Sequence, residues 1–177
     1  MSTTKWILDP THSEIGFKVK HMMFTNVSGK FDAIEATIDT DGDDFTNAQI
    51  AFSAETTSVN TGNADRDNHL RSADFFDAEK FPKITFHADG FVKKSGEDFT
   101  LTGDLTLHGV TKTITLDAEY GGLLQDPWGN TKAAFSIIGK INRKDWGLNW
   151  NAALETGGLL VSEEVRFAIE LQFVKQA

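Results

Sequence analysis

The sequence predicts an all-β protein in which eight antiparallel strands close into a barrel, with short helical excursions between some of them. Apolar and polar residues alternate in eight segments, which is the pattern of strands buried on one face. Turn sequences such as Lys94-Ser95-Gly96-Glu97 separate neighbouring segments, so consecutive strands should pair antiparallel. Closure into a barrel would leave no open sheet edge, although a two-sheet sandwich fits the same pattern.

Each strand is predicted from its own alternation. In Glu14 to His21, the apolar residues Ile15, Phe17 and Val19 occupy every second position. The next segment, Phe31 to Ile38, changes phase part of the way along, so a bulge is expected there. The remaining strands are predicted over residues 48–54, 84–88, 99–107, 114–118, 135–141 and 165–173.

Two long segments do not fit the strand pattern. Residues 58–80 are rich in Asn, Asp and Ala, which favour helix caps and short helices. Residues 142–160 are rich in Trp, Asn and Gly. Long excursions in a chain of otherwise short loops more often carry function, so both segments are candidates for a site.

The composition limits the class of protein. We expect one domain over residues 1–177, because no Pro- or Ser-rich linker divides the chain. With no cysteine, neither a disulfide nor a cysteine-ligated zinc site can form. The start of the chain has no signal-peptide pattern and no apolar run of 18 residues occurs, so we expect a cytoplasmic protein without an integral membrane segment, or a periplasmic one if a leader was removed.

Charge and aromatic content indicate what the protein can bind. The net charge is −9 and there is no basic stripe, so nucleic acid is not expected as a partner. The chain has 14 Phe and four Trp but a single Tyr, so most of its aromatic surface needs no hydrogen-bond partner when buried. This composition fits either a Phe-rich packed core or a dry lipid cavity, and an eight-stranded barrel can be either filled or hollow.

If the barrel is hollow, the inward-facing side chains would line a channel for a long apolar chain. The predicted channel residues are Phe17, Val19, His21, Phe24, Phe31, Phe52, Phe76, Phe86, Leu105, Leu107, Phe135, Ile137, Trp150, Phe167 and Ile169.

Polar candidates for a ligand head group cluster in the first excursion. Arg66, His69 and Arg71 lie close in sequence to the pair Phe75-Phe76. Arginine offers several directed donors that suit a diphosphate or carboxylate, and histidine can donate to a quinone carbonyl. A polar cluster beside an apolar one is what an amphiphilic ligand requires.

The same polar residues allow other interpretations. Arg66 could instead be held by Asp65, Asp67 or Asp74 to brace the loop. Asp67 and His69 could serve a hydrolase, but no catalytic or nucleotide-binding motif accompanies them. We therefore expect no catalysis, no metal site and no cofactor.

Three further residues have two possible roles. His21 continues the inward phase of its strand, so it could contact a ligand near a channel opening or be an ordinary core histidine. Trp146 and Trp150 could close one end of the barrel or stack on a ligand, and the neighbouring Arg143 could pack against an indole.

Five blocks that cover most of the chain resemble the bacterial YceI-like family of polyisoprenoid-binding or lipid-binding proteins. The blocks are WILDPTHSEIGFKVKHMMFTNVSGKF, RDNHLRSADFFDAEKFPKITF, GDLTLHGVTKTITL, INRKDWGLNW and VSEEVRFAIEL.

The resemblance implies a lipocalin-like barrel whose internal channel holds a long isoprenoid or other amphiphile. Similar members are associated with prenyl diphosphates, isoprenoid quinones and fatty amides, so the implied function is to bind and carry such a chain without performing chemistry on it. The alternative is a packed barrel that acts as a stress-response or protein-interaction module. An exposed strand or the acidic surface could also support a homodimer.

Overall fold

The computed structural model describes residues 3–22, 25–151 and 160–176. These residues form mostly antiparallel strand, with one α-helix, α1 (Ala64–Arg71), and three short 3-10 helices. The strands are β1 (Thr3–Leu8), β2 (Glu14–His21), β3 (Thr25–Phe31), β4 (Ile34–Asp41), β5 (Asp44–Glu55), β6 (Val59–Asn60), β7 (Lys83–Ser95), β8 (Asp98–Leu107), β9 (Val110–Gln125), β10 (Thr131–Asn142) and β11 (Glu164–Lys175).

Eight of the strands in the described part of the chain form a closed ring. Around the ring the order is β1, β4, β5, β7, β8, β9, β10 and β11, and every pair is antiparallel. Residues 6–8 of β1 pair with residues 173–175 of β11 and so complete the ring. The predicted all-β, eight-stranded antiparallel barrel is confirmed.

The ring does not consist of the eight predicted strands. β1 and β2 lie end to end along one edge of β11, and the 3-10 turn Pro10–His12 connects them. The predicted first strand is β2, which together with β3 and β6 extends the sheet beside the ring. β1, which was not predicted, takes its place in the ring; its six residues bury only Trp6 and Leu8, too few to show an alternation.

The predicted strand from Phe31 to Ile38 is two strands. The backbone bends at Asp32 and Ala33, so β3 ends at Phe31 and β4 begins at Ile34. The change of phase in the sequence therefore marks a strand boundary, and the expected bulge is not found there. The pairing between β7 and β8 shifts register between Ala88 and Phe91 instead.

Both predicted excursions contain helical turns. In the first, α1 begins after Asn63, whose side-chain oxygen accepts a hydrogen bond from the Arg66 backbone N–H at 3.0 Å. In the second, a 3-10 helix over Arg143–Trp146 ends at Gly147, where φ is +79°, a conformation that favours glycine. These two excursions approach each other across one end of the barrel, because His69 and Trp150 are in ring contact with centroids 4.6 Å apart.

Aromatic side chains fill the opposite end of the barrel. Phe135 lies at the centre of this group, 5.0 Å from Phe91 in a parallel stack and 5.3 Å from Phe45, measured between ring centroids. We call this group the aromatic end. Its members are Trp6, Phe45, Phe91, Phe99, Tyr120 and Phe135.

Candidate ligand-binding cavity

The barrel encloses a cavity of about 290 Å³, which reaches from the aromatic end to the two helical excursions. Its volume is near the lower bound of small-molecule sites, roughly 300 Å³. Its wall is almost entirely apolar, since inward positions of the ring strands and of β2 and β3 carry aliphatic or phenyl side chains. The wall includes Ile15, Phe17, Val19, Val27, Phe31, Ala36, Ile50, Phe52, Ala54, Ile84, Phe86, Leu101, Leu105, Leu107, Ile114, Leu116, Ile137, Ile141, Phe167, Ile169, Leu171 and Phe173.

Strand register explains why these side chains meet. Phe17 on β2 is paired with Phe167 on β11, and Ile15 is paired with Ile169 two positions further on. Side chains two residues apart on a strand lie on the same face, so both pairs point into the cavity. The alternation read from the sequence thus produces a continuous apolar wall.

A glycine on β3 makes room for the ring of Phe17. A Cβ added to Gly29 would lie 2.5 Å from the Phe17 Cζ atom, which is closer than real contacts allow. With glycine at this position, the Phe17 ring packs over the β3 backbone and reaches Phe31, whose centroid is 5.6 Å away. Phe31 in turn contacts Phe76 from the first excursion at 5.6 Å.

The cavity ends before Phe135, so the structure places this predicted channel residue elsewhere. Phe135 is 3% exposed and packs within the aromatic end, and it is not part of the cavity wall. A separate cavity of about 170 Å³ lies on its other side, beside Asp43 and Asp44. The aromatic end therefore separates the two cavities.

Polar side chains line the cavity at the end formed by the excursions, which we call the mouth. The mouth residues are His21, Thr61, Arg66, His69, Arg143 and Trp150.

His69 is fixed in the mouth by a carboxylate and two aromatic rings. Its Nε2 atom lies 2.9 Å from an oxygen of Asp74. The imidazole also meets Trp150 edge to face, with centroids 4.6 Å apart, and Phe75 at 5.1 Å. His69 thus lies beside the apolar cluster of its own excursion, as the sequence predicted, and Phe76 lines the same cavity.

The predicted arginines differ in their placement. Arg66 lines the cavity, and it donates from Nε to Thr61 Oγ1 and from Nη2 to the Thr61 carbonyl oxygen, both at 2.8 Å. Within the described residues it has no ion pair, so the alternative in which an aspartate holds it is not observed. Arg71 lies outside the cavity wall and donates to the Thr57 carbonyl oxygen and to Asn68 Oδ1, at 2.9 and 2.8 Å.

Arg143 is a mouth residue whose role the sequence did not indicate. It is 3% exposed and donates to the backbone carbonyl oxygens of Leu148, Val161 and Ser162. Its guanidinium carbon lies 5.9 Å from the centroid of the Phe75 ring, so the aromatic partner given by this contact is a phenyl ring, where an indole was one expectation. Removal from water lowers the pKa of Arg143, because burial disfavours the charged form.

The two tryptophans of the second excursion have different roles. Trp146 is 2% exposed, and its indole Nε1 donates to the Leu105 carbonyl oxygen at 3.1 Å, which fastens the excursion to β8. Trp150 is half-buried and lines the mouth. Trp146 is therefore structural, and Trp150 is placed to contact a ligand.

Asp67 and His69, the residues considered for hydrolysis, each bind a different partner. A carboxylate oxygen of Asp67 accepts from both the backbone N–H and the hydroxyl of Thr61, while His69 is paired with Asp74. No hydrogen bond between Asp67 and His69 occurs in the part of the chain that the structure describes. The same residues contain no group of three or more His, Asp or Glu positioned to hold a metal ion.

Most predicted channel residues lie in the cavity wall, but others were missed. Phe24 falls outside the described residues. The missed wall residues from the excursions follow no strand alternation, so no periodic signal marked them. They are Leu70, Phe75, Leu148, Leu160 and Val161.

No helix among residues 3–22, 25–151 and 160–176 is long and apolar enough to cross a bilayer. The longest, α1, has eight residues.

The chain that forms this cavity is similar to known proteins of one family. Residues 6–173 match the family model of the YceI-like domain. A UPF0312 protein of Staphylococcus aureus (strain MSSA476) is 37% identical over 171 residues, which cover 96% of this chain and 97% of the relative. The crystal structure of the YCEI protein of Campylobacter jejuni is 35% identical, with a TM-score of 0.77, over 89% of this chain and 90% of that one.

Two more distant structures share the fold. BcnA of Burkholderia cenocepacia has a TM-score of 0.79 at 21% identity, over 93% of this chain and 98% of that one. A polyisoprenoid binding domain from Saccharophagus degradans, implicated in plant cell wall breakdown, has a TM-score of 0.70 at 19% identity, over 97% and 98% of the two chains. At these identities the likeness concerns the fold alone.

Proposed function

The chain belongs to the YceI-like family, and from that premise we propose that it binds and carries a long-chain amphiphile in the barrel cavity without performing chemistry on it. The ligand classes we propose are a polyisoprenoid, an isoprenoid quinone, or a fatty acid or amide. The observation that carries the proposal is the combination of a long apolar wall with polar side chains confined to the mouth. The name of the Saccharophagus degradans domain, which shares this fold, supports an isoprenoid ligand.

The chemistry of the wall favours a ligand that is mostly hydrocarbon. Each buried methylene contributes roughly 0.8 kcal/mol, whereas a hydrogen bond to a charged group contributes about 1.5–3 kcal/mol. Two to four methylenes therefore equal one such hydrogen bond. The length of the apolar chain should dominate affinity, and the head group should mainly decide between ligands of similar length.

A matched pair of substitutions on β10 tests this function. Ile137 lines the cavity, and its neighbour Ile138 is 60% exposed on the outer face of the same strand. Ile137→Trp should fill the space that the ligand needs, and Ile138→Trp adds the same side chain to the outside. Native mass spectrometry with geranylgeraniol should show one bound molecule for the wild type and for Ile138→Trp, and at least about tenfold weaker binding for Ile137→Trp, equivalent to about 1.4 kcal/mol.

Circular dichroism and thermal unfolding would confirm that both variants are folded. Equal uptake by a folded Ile137→Trp variant would contradict the cavity as the binding site. Organic extraction of the protein as purified, followed by mass spectrometry, would identify the natural ligand class.

A further inference from the structure

We propose that Arg143 makes the cavity selective for ligands with an acidic head group, a carboxylate or a phosphate, over ligands with the same chain and a neutral head group. The inference rests on the proposed function, and it assigns head-group recognition to a residue other than Arg66, His69 and Arg71. Three features of Arg143 support it: its charge, its hydrogen-bond donors and its position.

The charge of Arg143 is buried without a direct ion pair in the described part of the chain. The side chain is 3% exposed, and among the described residues no carboxylate lies within 4.0 Å of its guanidinium. The adjacent Glu163 carboxylate acts on Arg143 from a greater distance and raises its pKa, while its own ion pair, at 3.0 Å, is with Lys144 Nζ. A buried cation whose direct contacts are carbonyl oxygens and a phenyl ring is stabilised further by an anion in contact with it, because charges interact strongly away from water.

Arg143 also has hydrogen-bond donors that the described residues do not use. A guanidinium carries five N–H groups, and acceptors on the described residues use three: Nε–H by the Ser162 carbonyl oxygen, one on Nη1 by Leu148 and one on Nη2 by Val161. With respect to those residues, one N–H remains on each of Nη1 and Nη2. Two N–H groups on adjacent nitrogens suit the two oxygens of a carboxylate or phosphate.

The position of Arg143 links these donors to the ligand. It directly follows β10, as the first residue of the 3-10 helix and two residues beyond Ile141, and both residues line the cavity. A chain lying along the apolar wall would therefore bring its head group to Arg143. Among the described residues, the carboxylates of Asp67 and Asp74 form no ion pair with Arg143: Asp67 accepts from Thr61, and Asp74 is paired with His69.

The test compares ligands that differ only in the head group. The dissociation constants of geranylgeranyl phosphate and geranylgeraniol, and of oleate and oleyl alcohol, would be measured by native mass spectrometry and calorimetry. We expect the wild type to bind each acidic ligand about tenfold more tightly than its alcohol, the effect of one charge-assisted hydrogen bond. A preference in the phosphate pair alone or in the carboxylate pair alone would identify which acidic group is read.

Variants then assign the preference to Arg143. Arg143→Met should bind geranylgeranyl phosphate and geranylgeraniol about equally, and Arg143→Lys should keep part of the preference for the phosphate. Lys112→Met on β9 removes the same charge from an exposed residue that is outside the cavity wall and has no ion pair within the described residues, and it should keep the full preference.

The outcomes separate this inference from the proposed function. Equal binding of the acidic and neutral ligands by the wild type would overturn the role of Arg143 while leaving the cavity as a lipid site, and it needs no variant to fold. A folded Arg143→Met protein that keeps the preference would overturn it as well. If neither member of either pair binds the wild type, the proposed function fails and the inference fails with it.

Discussion

At the scale of single residues, Asp9 shows how one carboxylate can fasten two parts of the barrel. It follows β1, and its carboxylate lies 2.9 Å from Lys132 Nζ on β10 and 2.7 Å from the Thr11 hydroxyl. His12 Nδ1 is also 2.7 Å away. The hydrogen bond from Lys132 is the main reason that the pKa of Asp9 lies well below its usual range. The partly buried ion pair also joins the turn after β1 to β10, the strand on the other edge of β11.

This pKa predicts how stability depends on pH. Because folding lowers the pKa of Asp9, its contribution to stability is present above the ordinary carboxyl pKa of about 3.8 and is lost as pH falls below it. The Asp9→Asn variant should be less stable than the wild type at pH 7 by about 1–3 kcal/mol. The difference should shrink as the pH is lowered from 5 to 2, as measured by urea unfolding at several pH values.

Asp98 provides the control, because it is exposed and has no ion pair within the described residues. Asp98→Asn should leave the pH dependence nearly unchanged. Parallel stability curves for the wild type and Asp9→Asn would show that Asp9 does not contribute as described.

At the scale of elements, the junction of β1 and β2 on β11 interrupts the strand pairing along one edge of β11. Where the chain leaves one strand for the other, the Gln172 carbonyl oxygen accepts from the Asp9 backbone N–H at 2.8 Å. The Gln172 backbone N–H donates to Ser13 Oγ at 3.0 Å. A side chain thus replaces a backbone partner, and β11 keeps its hydrogen bonds across the gap.

Ser13→Ala should therefore destabilise the protein by about 1–3 kcal/mol, because it leaves the Gln172 N–H without its acceptor. Chemical denaturation with an unchanged m-value would measure this loss. Ser28→Ala on β3 is the matched control, since Ser28 is exposed, and should change stability by less than about 0.5 kcal/mol. Equal effects of the two substitutions would mean that the junction does not depend on Ser13.

The sequence predicted most ring strands but not this junction. Long alternations such as 99–107 and 165–173 define one buried face clearly. β1 and β3 were missed as separate strands because both are short, and β3 contributes only Val27, Gly29 and Phe31 to its less exposed face. Their strand structure depends on pairing with β11 and β2, which no local pattern reveals.

At the scale of the whole molecule, alternation indicates which face of a strand is buried but not how far along the barrel a residue lies. Phe135 and Ile137 share a face of β10, yet only Ile137 lines the cavity. The place of Arg143 in the mouth was not predicted, for a related reason. Its carbonyl partners, on Leu148, Val161 and Ser162, belong to a segment without periodicity, so the chain folds around the guanidinium in a way that only the structure shows.

The arrangement of the two ends predicts the orientation of the ligand. With the head group at the mouth, stearic acid carrying a nitroxide at carbon 5 should quench the Trp150 contribution to the fluorescence more than the same acid labelled at carbon 16, because Trp150 lines the mouth whereas Trp6 lies in the aromatic end. Trp150→Phe should remove most of that difference. Trp128→Phe should not, since Trp128 is 83% exposed in the turn between β9 and β10. Stronger quenching from carbon 16 would indicate the reverse orientation.

The aromatic end has a consequence for how a ligand would enter and leave the cavity. If the cavity holds the proposed amphiphile, the packed rings among the described residues would hinder its passage through that end, so the ligand would load and unload through the mouth, in opposite order. A molecule held with its tail toward Phe173 would enter tail first and depart head first. A recipient membrane or protein would then contact the head group before any of the hydrocarbon is exposed. Transfer would begin with recognition of the polar group, and the hydrocarbon tail would leave the cavity last.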